Sequence, residues 1–123
     1  MEESTGKTLD GLLKQLLASI PEVKSAAIVS VEGLPIASAL PQGIDETRIA
    51  AMTAAILSLG ERAAHEMQKG DLEQIMVKGN DGILLVLEAG PNAVLTVSTT
   101  KDVRLGLIFL DCKRTTERIA ELI

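Results

Sequence analysis

The chain opens on an apolar stripe. Leu9, Leu12, Leu13, Leu16, Leu17 and Ile20 recur three and four residues apart, with Lys7, Asp10, Lys14 and Gln15 falling off the stripe. That spacing is one face of an α-helix, so a helix is predicted over Lys7–Ile20, with Thr5 as its N-cap and Pro21 ending it. The rhythm then changes. Ser25–Val31 is a short run rich in Ala, Ile and Val, and Leu34–Leu40 is a second strand-like run. Glu32-Gly33 between them reads as a tight turn, glycine being free to take a positive φ. Pro35 has no N–H to give to a ladder, which places this second strand at a sheet edge. Asp45–Lys69 is the longest helical stretch, capped by Asp45 and closed by Gly70. Ile49, Met52, Ile56, Leu59, Ala63 and Met67 mark its expected inward stripe.

Three more strands follow as a meander. Leu72–Lys78 alternates in part, and Gly79-Asn80-Asp81-Gly82 makes a turn. Ile83–Leu87 is uninterrupted aliphatic, the pattern of a strand covered on both faces. Gly90-Pro91-Asn92 turns again, and Ala93–Thr99 is the fifth strand. Asp102–Leu122 is the last helix, with Thr99 or Thr100 as its cap and Leu105, Ile108, Phe109, Cys112, Ile119 and Ile123 on one face. Val103, Leu107 and Leu110 project away from that face and are expected to pack on the first helix. The order helix, two strands, helix, three strands, helix predicts an α+β fold, an antiparallel sheet with helices on its faces. No linker, repeat or low-complexity stretch interrupts it, so residues 1–123 are expected to form one domain.

Composition narrows the function classes. Hydrophobic residues make up 46% of the 123 residues, yet Phe109 is the only aromatic, which leaves few anchors for bases, sugars or flat cofactors. The net charge is −5, from 12 basic and 17 acidic residues, which argues against nucleic acid as a partner. No apolar run is long enough to span a bilayer, so no direct membrane insertion is expected. Cys112 is the single cysteine and cannot form an internal disulfide. With no signal peptide in evidence, the expected compartment is the reducing cytoplasm.

Catalytic patterns are missing. The sequence has no phosphate loop, no dinucleotide fingerprint, no cysteine pair and no His-Glu-x-x-His, so neither a cofactor nor a metal is expected. His65, the only histidine, lies among Arg62, Glu66 and Lys69 and reads as part of a solvated face. Cys112 falls on the apolar stripe of the last helix and reads as a buried filler. Glu61 and Glu66 read as solvent-side helix charges. The expectation is a protein without catalytic residues, and not an enzyme.

The stretch Ile20-Pro21-Glu22-Val23-Lys24-Ser25-Ala26-Ala27-Ile28-Val29-Ser30-Val31-Glu32-Gly33-Leu34-Pro35-Ile36-Ala37-Ser38 resembles the signature hairpin of the Roadblock family. Ala50-Ala51-Met52-Thr53-Ala54-Ala55 in the long helix, the Asp81-Gly82 turn and Val97-Ser98-Thr99-Thr100 before the last helix are similar to that family too, in the same order. The resemblance implies a five-stranded antiparallel sheet in the order 2-1-5-4-3. One long helix would cover one face and the two terminal helices the other, in the element order α-β-β-α-β-β-β-α. It also implies a homodimer and a Ras-like small GTPase as partner, served by a non-enzymatic regulator or scaffold. A structural adaptor subunit, as dynein light chains are, is the alternative. A small-molecule sensor ranks third, since it needs a cavity with a few convergent polar groups.

Two surfaces follow from that topology. The second strand carries Pro35, which discourages edge pairing. The third strand, Leu72, Glu73, Gln74, Ile75, Met76, Val77 and Lys78, contains no proline and is expected to pair with its copy into a ten-stranded sheet. On the long helix, Ala50, Ala51, Ala54 and Ser58 are small enough to let a second helix approach closely. The GTPase is then expected on the paired helices, over Ala51, Ala54 and Ser58 and a rim of Thr47, Glu61, Arg62 and His65, with one GTPase per dimer. The last helix is the competing surface. Arg48, Arg62, Arg104, Arg114 and Arg118 are each possible donors of an arginine finger, and nothing in the sequence selects one.

Overall fold

In a computed structural model, which describes the backbone of residues 2–123 and the side chains from residue 8 onward, the leucine stripe becomes α1 (Glu2–Ser19). Leu9, Leu13 and Leu16 are buried, and the helix stops ahead of Pro21. It starts earlier than the stripe does. Thr5, expected as its cap, falls within the helix, and its side chain lies outside the described residues. The two Ala/Ile/Val-rich runs form β1 (Val23–Ser30) and β2 (Pro35–Ala39), joined by a turn in which the Gly33 amide donates to the Ser30 carbonyl at 3.0 Å with φ +95°. The long helix is α2 (Glu46–Glu66), whose N-cap carboxylate on Asp45 accepts from the Arg48 amide at 3.2 Å. β3 (Ile75–Gly79), β4 (Gly82–Glu88) and β5 (Ala93–Thr99) form the meander, and α3 (Leu105–Leu122) closes the chain.

Every strand pairing is antiparallel and the order is β2-β1-β5-β4-β3, as the resemblance implied. Side chains alternate between two faces. Ala26, Ile28, Leu85, Leu87, Leu95 and Val97 point to α1 and α3. Ala27, Val29, Val86 and Val94 point to α2, against Ala50 and Leu57. β1, β5 and β4 are thus buried on both sides, which explains the unbroken aliphatic run of Ile83–Leu87. Gly82 starts β4 because a Cβ there would run into the Thr99 carbonyl on β5. At the β2 edge, the register shifts between Ile28 and Val29, so Val29 faces Pro35. A bulge and a proline together blunt that edge.

Three local expectations are corrected. The buried stripe of α2 is Ala50, Thr53 and Leu57, one residue along from Ile49, Met52 and Ile56 and so turned by about 100°. The reason is close approach. A Cβ on Gly33 would lie 3.5 Å from the Ala51 Cα, and one on Gly60 would lie 2.5 Å from the Ile75 Cδ1. Leu57 is the one large side chain of the buried stripe, beside Ala50 and Thr53, and Met52, Leu59 and Met67 are turned outward.

The end of α2 is not made by Gly70. The Gln68 amide donates to the His65 carbonyl at 3.1 Å and the Lys69 amide to the Ala64 carbonyl at 2.8 Å. This is a Schellman closure with Gln68, φ +57°, in the left-handed position that usually takes glycine.

α3 starts at Leu105, not Asp102, and neither Thr99 nor Thr100 caps it. The Thr99 hydroxyl donates to the Thr100 carbonyl at 2.8 Å, and the Thr100 amide donates to the Glu22 carbonyl at 2.9 Å. These bonds tie the segment to the turn before β1. The buried face of α3 is Ile108, Cys112, Thr116 and Ile119, while Ile123 is exposed. Val103 is half-buried against the core, but Leu107 and Leu110 are exposed and do not pack on α1. The cleft between the two helices is lined from α3 by Asp111, Arg114, Thr115 and Arg118 instead.

Candidate interaction surface

The sheet ends at β3, whose far side has no strand beside it among the described residues. Ile75 and Val77 lie opposite Val86 and Leu84 and so face the α2 side. Met76 and Lys78 lie opposite Leu85 and Ile83 and face the other side. Val77 and Met76 are nearly half exposed. Of the seven residues expected in this strand, only Ile75, Met76, Val77 and Lys78 are in it. Leu72, Glu73 and Gln74 precede it without pairing. Leu72 packs on the α2-side core, within 3.5 Å of where a Gly60 Cβ would sit, and this holds the segment off the ladder.

The eight α2 residues proposed from sequence do not form one outer face. Ala50 is fully buried against the sheet, the reverse of the outer position expected for it. Ala54 is half-buried beside Gly33, and Glu61 is turned toward β4. Thr47, Ala51, Ser58, Arg62 and His65 are exposed. The His65 Nε2 lies 3.5 Å from the Asp71 carboxylate, on the surface.

The larger apolar face of α2 was missed. Met52, Leu59 and Met67 are 49, 64 and 70% exposed. A signal for it existed in the sequence. Ile49, Met52, Ile56, Leu59, Ala63 and Met67 make one apolar stripe, and Ala50, Ala51, Ala54 and Ala55 make α2 apolar on further sides as well. A helix of that kind needs covering on more than one side.

Where α2 ends over β4, Glu61 hydrogen-bonds Glu88. That bond, desolvation and the negative charges of Glu61 and Asp71 push the Glu88 carboxyl up to about 7. A groove of about 530 Å³ opens nearby between α3 and the segment before β3, lined by Leu72, Glu73, Phe109, Leu110 and Lys113 among others. Cys112 is buried and free, and desolvation, with the charge of Asp111, raises its thiol to about 12. Among the described residues, no group of three or more His, Cys, Asp or Glu side chains could hold a metal ion. No helix among them is long and apolar enough to cross a membrane.

Comparison with known proteins agrees with this architecture. The Roadblock/LC7 domain model matches residues 9–99. An uncharacterized protein of Methanocaldococcus jannaschii is 40% identical over 97 residues, covering 79% of this chain and 84% of that protein. A second uncharacterized protein of the same organism is 39% identical over the same length and shares. Among solved structures, a Roadblock/LC7 domain from Streptomyces avermitilis superposes with a TM-score of 0.85 at 22% identity, covering 91% of this chain and 94% of that one. Myxococcus xanthus MglB superposes with a TM-score of 0.86 at 22% identity, covering 96% and 92%. A further MglB structure, described as a tetrameric arrangement, has a TM-score of 0.86 at 20% identity, covering 96% and 89%.

Proposed function

Because the chain belongs to the Roadblock/LC7 family, we propose that its 123 residues work as one non-enzymatic binding domain, a cytoplasmic homodimer that regulates or scaffolds a Ras-like small GTPase. Family membership supports a regulator or adaptor role, and the GTPase as partner rests on it. The observation that carries the reading is the exposed apolar face of α2, Met52, Leu59 and Met67, on the sheet that ends in the open edge strand β3. Exposed apolar side chains along a helix and an unpaired edge strand are liabilities that a second chain removes. The MglB described in a tetrameric arrangement supports self-association as a habit of this fold.

In this reading β3 pairs with β3 of a second copy, and α2 lies beside its counterpart through Met52, Leu59 and Met67, with Ala51 and Ser58 at the margin. The partner GTPase then sits on the composite of both helices, with Thr47, Glu61, Arg62 and His65 among the residues around it. Ile75→Pro, which removes a ladder donor, and Leu59→Glu should each yield monomer in sedimentation at micromolar concentration. Titration with a small GTPase in its GDP and GTP-analogue forms tests the partner. Arg62→Glu should weaken binding while Leu107→Glu leaves it intact. A monomeric wild-type protein, or the reverse ranking of those two variants in a folded dimer, refutes the assignment.

The adaptor reading has one observation of its own. Leu107 and Leu110 on α3 are 51 and 47% exposed, and Leu110 lines the 530 Å³ groove, which gives the domain a second apolar surface on α3. If Leu107→Glu alone abolishes partner binding, the adaptor reading replaces the first.

A further inference from the structure

β3 stops where its register could continue. Ile75 pairs with Val86, Val77 with Leu84 and Gly79 with Gly82, so Glu73 in the same register would stand opposite Glu88. The backbone of β4 leaves room for it. The Ala89 amide donates to the Ala93 carbonyl at the β5 end. Backbone groups alternate in direction along a strand, so the Glu88 N–H and C=O point the other way, toward the segment before β3. Neither has a backbone partner among the described residues.

Two things hold Leu72–Gln74 off this ladder. The first is packing. Leu72 rests on the α2-side core beneath Gly60. In the continued ladder it would stand opposite Ala89 and point to the other face. That face is open to receive it, because the groove of about 530 Å³ there is lined by Leu87, Phe109 and Leu110. One apolar contact would replace another.

The second is charge. Glu73 now lines that groove together with Lys113 of α3. In the ladder it would turn to the α2 face, directly beside Glu88, which is hydrogen-bonded to Glu61 and lies within reach of the charge of Asp71. Like charges directly opposite each other in a ladder are destabilising. His65 faces Asp71 at 3.5 Å, and the residue opposite Glu88 on β5 is the uncharged Val94. Protons can remove this second barrier. Glu88 keeps its proton up to about 7, because of its bond to Glu61, desolvation and the charges of Glu61 and Asp71. A further carboxylate beside it raises proton affinity again, so the continued ladder binds more protons and gains as pH falls.

We propose that β3 is an edge strand of two lengths. It is short while the Glu61, Glu73 and Glu88 carboxylates are charged. It continues through Leu72–Gln74, with Leu72 in the α3-side groove, when protons neutralise them. A longer edge offers more ladder to a second copy, and that consequence rests on the reading of β3 as the pairing strand.

The test follows the isotope-labelled full chain from pH 8 to pH 5. In the continued ladder Glu73 and Glu88 exchange both backbone hydrogen bonds. Protection of these two amides, corrected for intrinsic exchange, should rise at least about tenfold as pH falls, with Val77 and Leu84 unchanged. Phe109 is the only aromatic residue, so ring-current shifts on the Leu72 methyl groups report their entry into the groove. Glu73→Gln should show both signals already at pH 8. His65→Gln, which leaves the carboxyls in place, should keep the pH dependence. Sedimentation of the same samples reads self-association separately. A strand that lengthens in a protein that stays monomeric upholds the switch and refutes pairing through β3. The proposal is overturned if Glu73 and Glu88 stay unprotected at pH 5, if the Leu72 methyl groups do not shift, or if Glu73→Gln behaves as the parent does. It is equally overturned if His65→Gln abolishes the response, since the imidazole and not the carboxyls would then be the sensor.

Discussion

Gly60 is where the helix and the edge strand meet, and Gly60→Ala measures how tightly α2 holds β3. Two effects oppose. Replacing glycine by alanine inside a helix favours folding by about 1 kcal/mol. The new Cβ would stand 2.5 Å from the Ile75 Cδ1 and 3.2 Å from its Cγ1, well inside the ~3.5–4.0 Å of ordinary carbon contact. Overpacking of this kind costs about 1–3 kcal/mol. The net expectation is a loss of roughly 0–2 kcal/mol, which alone decides little.

The decisive experiment is a double-mutant cycle with Ile75→Val, which deletes the Cδ1 that clashes. In the parent, Ile75→Val should cost about 0.5–1.5 kcal/mol. In the Gly60→Ala background the same change should be neutral or stabilising, because the clash goes with the methyl group. The predicted coupling is about 1–3 kcal/mol, read from urea unfolding at fixed protein concentration, since dimerisation would make stability concentration-dependent. Additivity of the two changes within about 0.5 kcal/mol would mean that α2 does not rest on Ile75, and the account of why the helix is turned would fail.

Other expectations follow from single features. Gln68→Gly should stabilise the protein by about 0.5–1 kcal/mol in urea unfolding, because the left-handed position at the end of α2 would lose its Cβ strain. Glu88 binds its proton more tightly folded, at about 7, than at its ordinary 4.5. Its contribution is therefore full below about 4.5, falls as pH rises toward 7 and is flat above, so Glu88→Gln should flatten that part of the stability profile. Cys112, buried with its thiol raised to about 12, should resist maleimide in the native protein at pH 7.5 and react at once in urea.

Much of the fold follows from local chemistry. The stripe from Leu9 to Ile20 dictates α1, Gly33 and Pro35 fix a hairpin and its edge position, and the aliphatic run of Ile83–Leu87 demands a strand covered on both faces. These are properties of a few neighbouring residues, and the periodicities of helix and strand carry them directly. What turned α2 could not be read this way. Its apolar residues lie on more than one side, and which side meets the sheet depends on how closely Gly33 and Gly60 let the helix approach.

The same holds for the sites. Leu72 is expected in the edge strand, but it packs on the α2-side core beneath Gly60. The Glu61–Glu88 contact joins residues far apart in the chain and has no local signature. The cavity open to the surface beneath the N-terminal end of α2 is left by three strands, a loop and a helix, and no one segment encodes it. Sequence by itself determined the elements and their order, because short-range periodicity and turn residues act within a few positions. Only the tertiary structure decided which face of α2 is covered and where a cavity remains, because those depend on distances between segments that never meet along the chain.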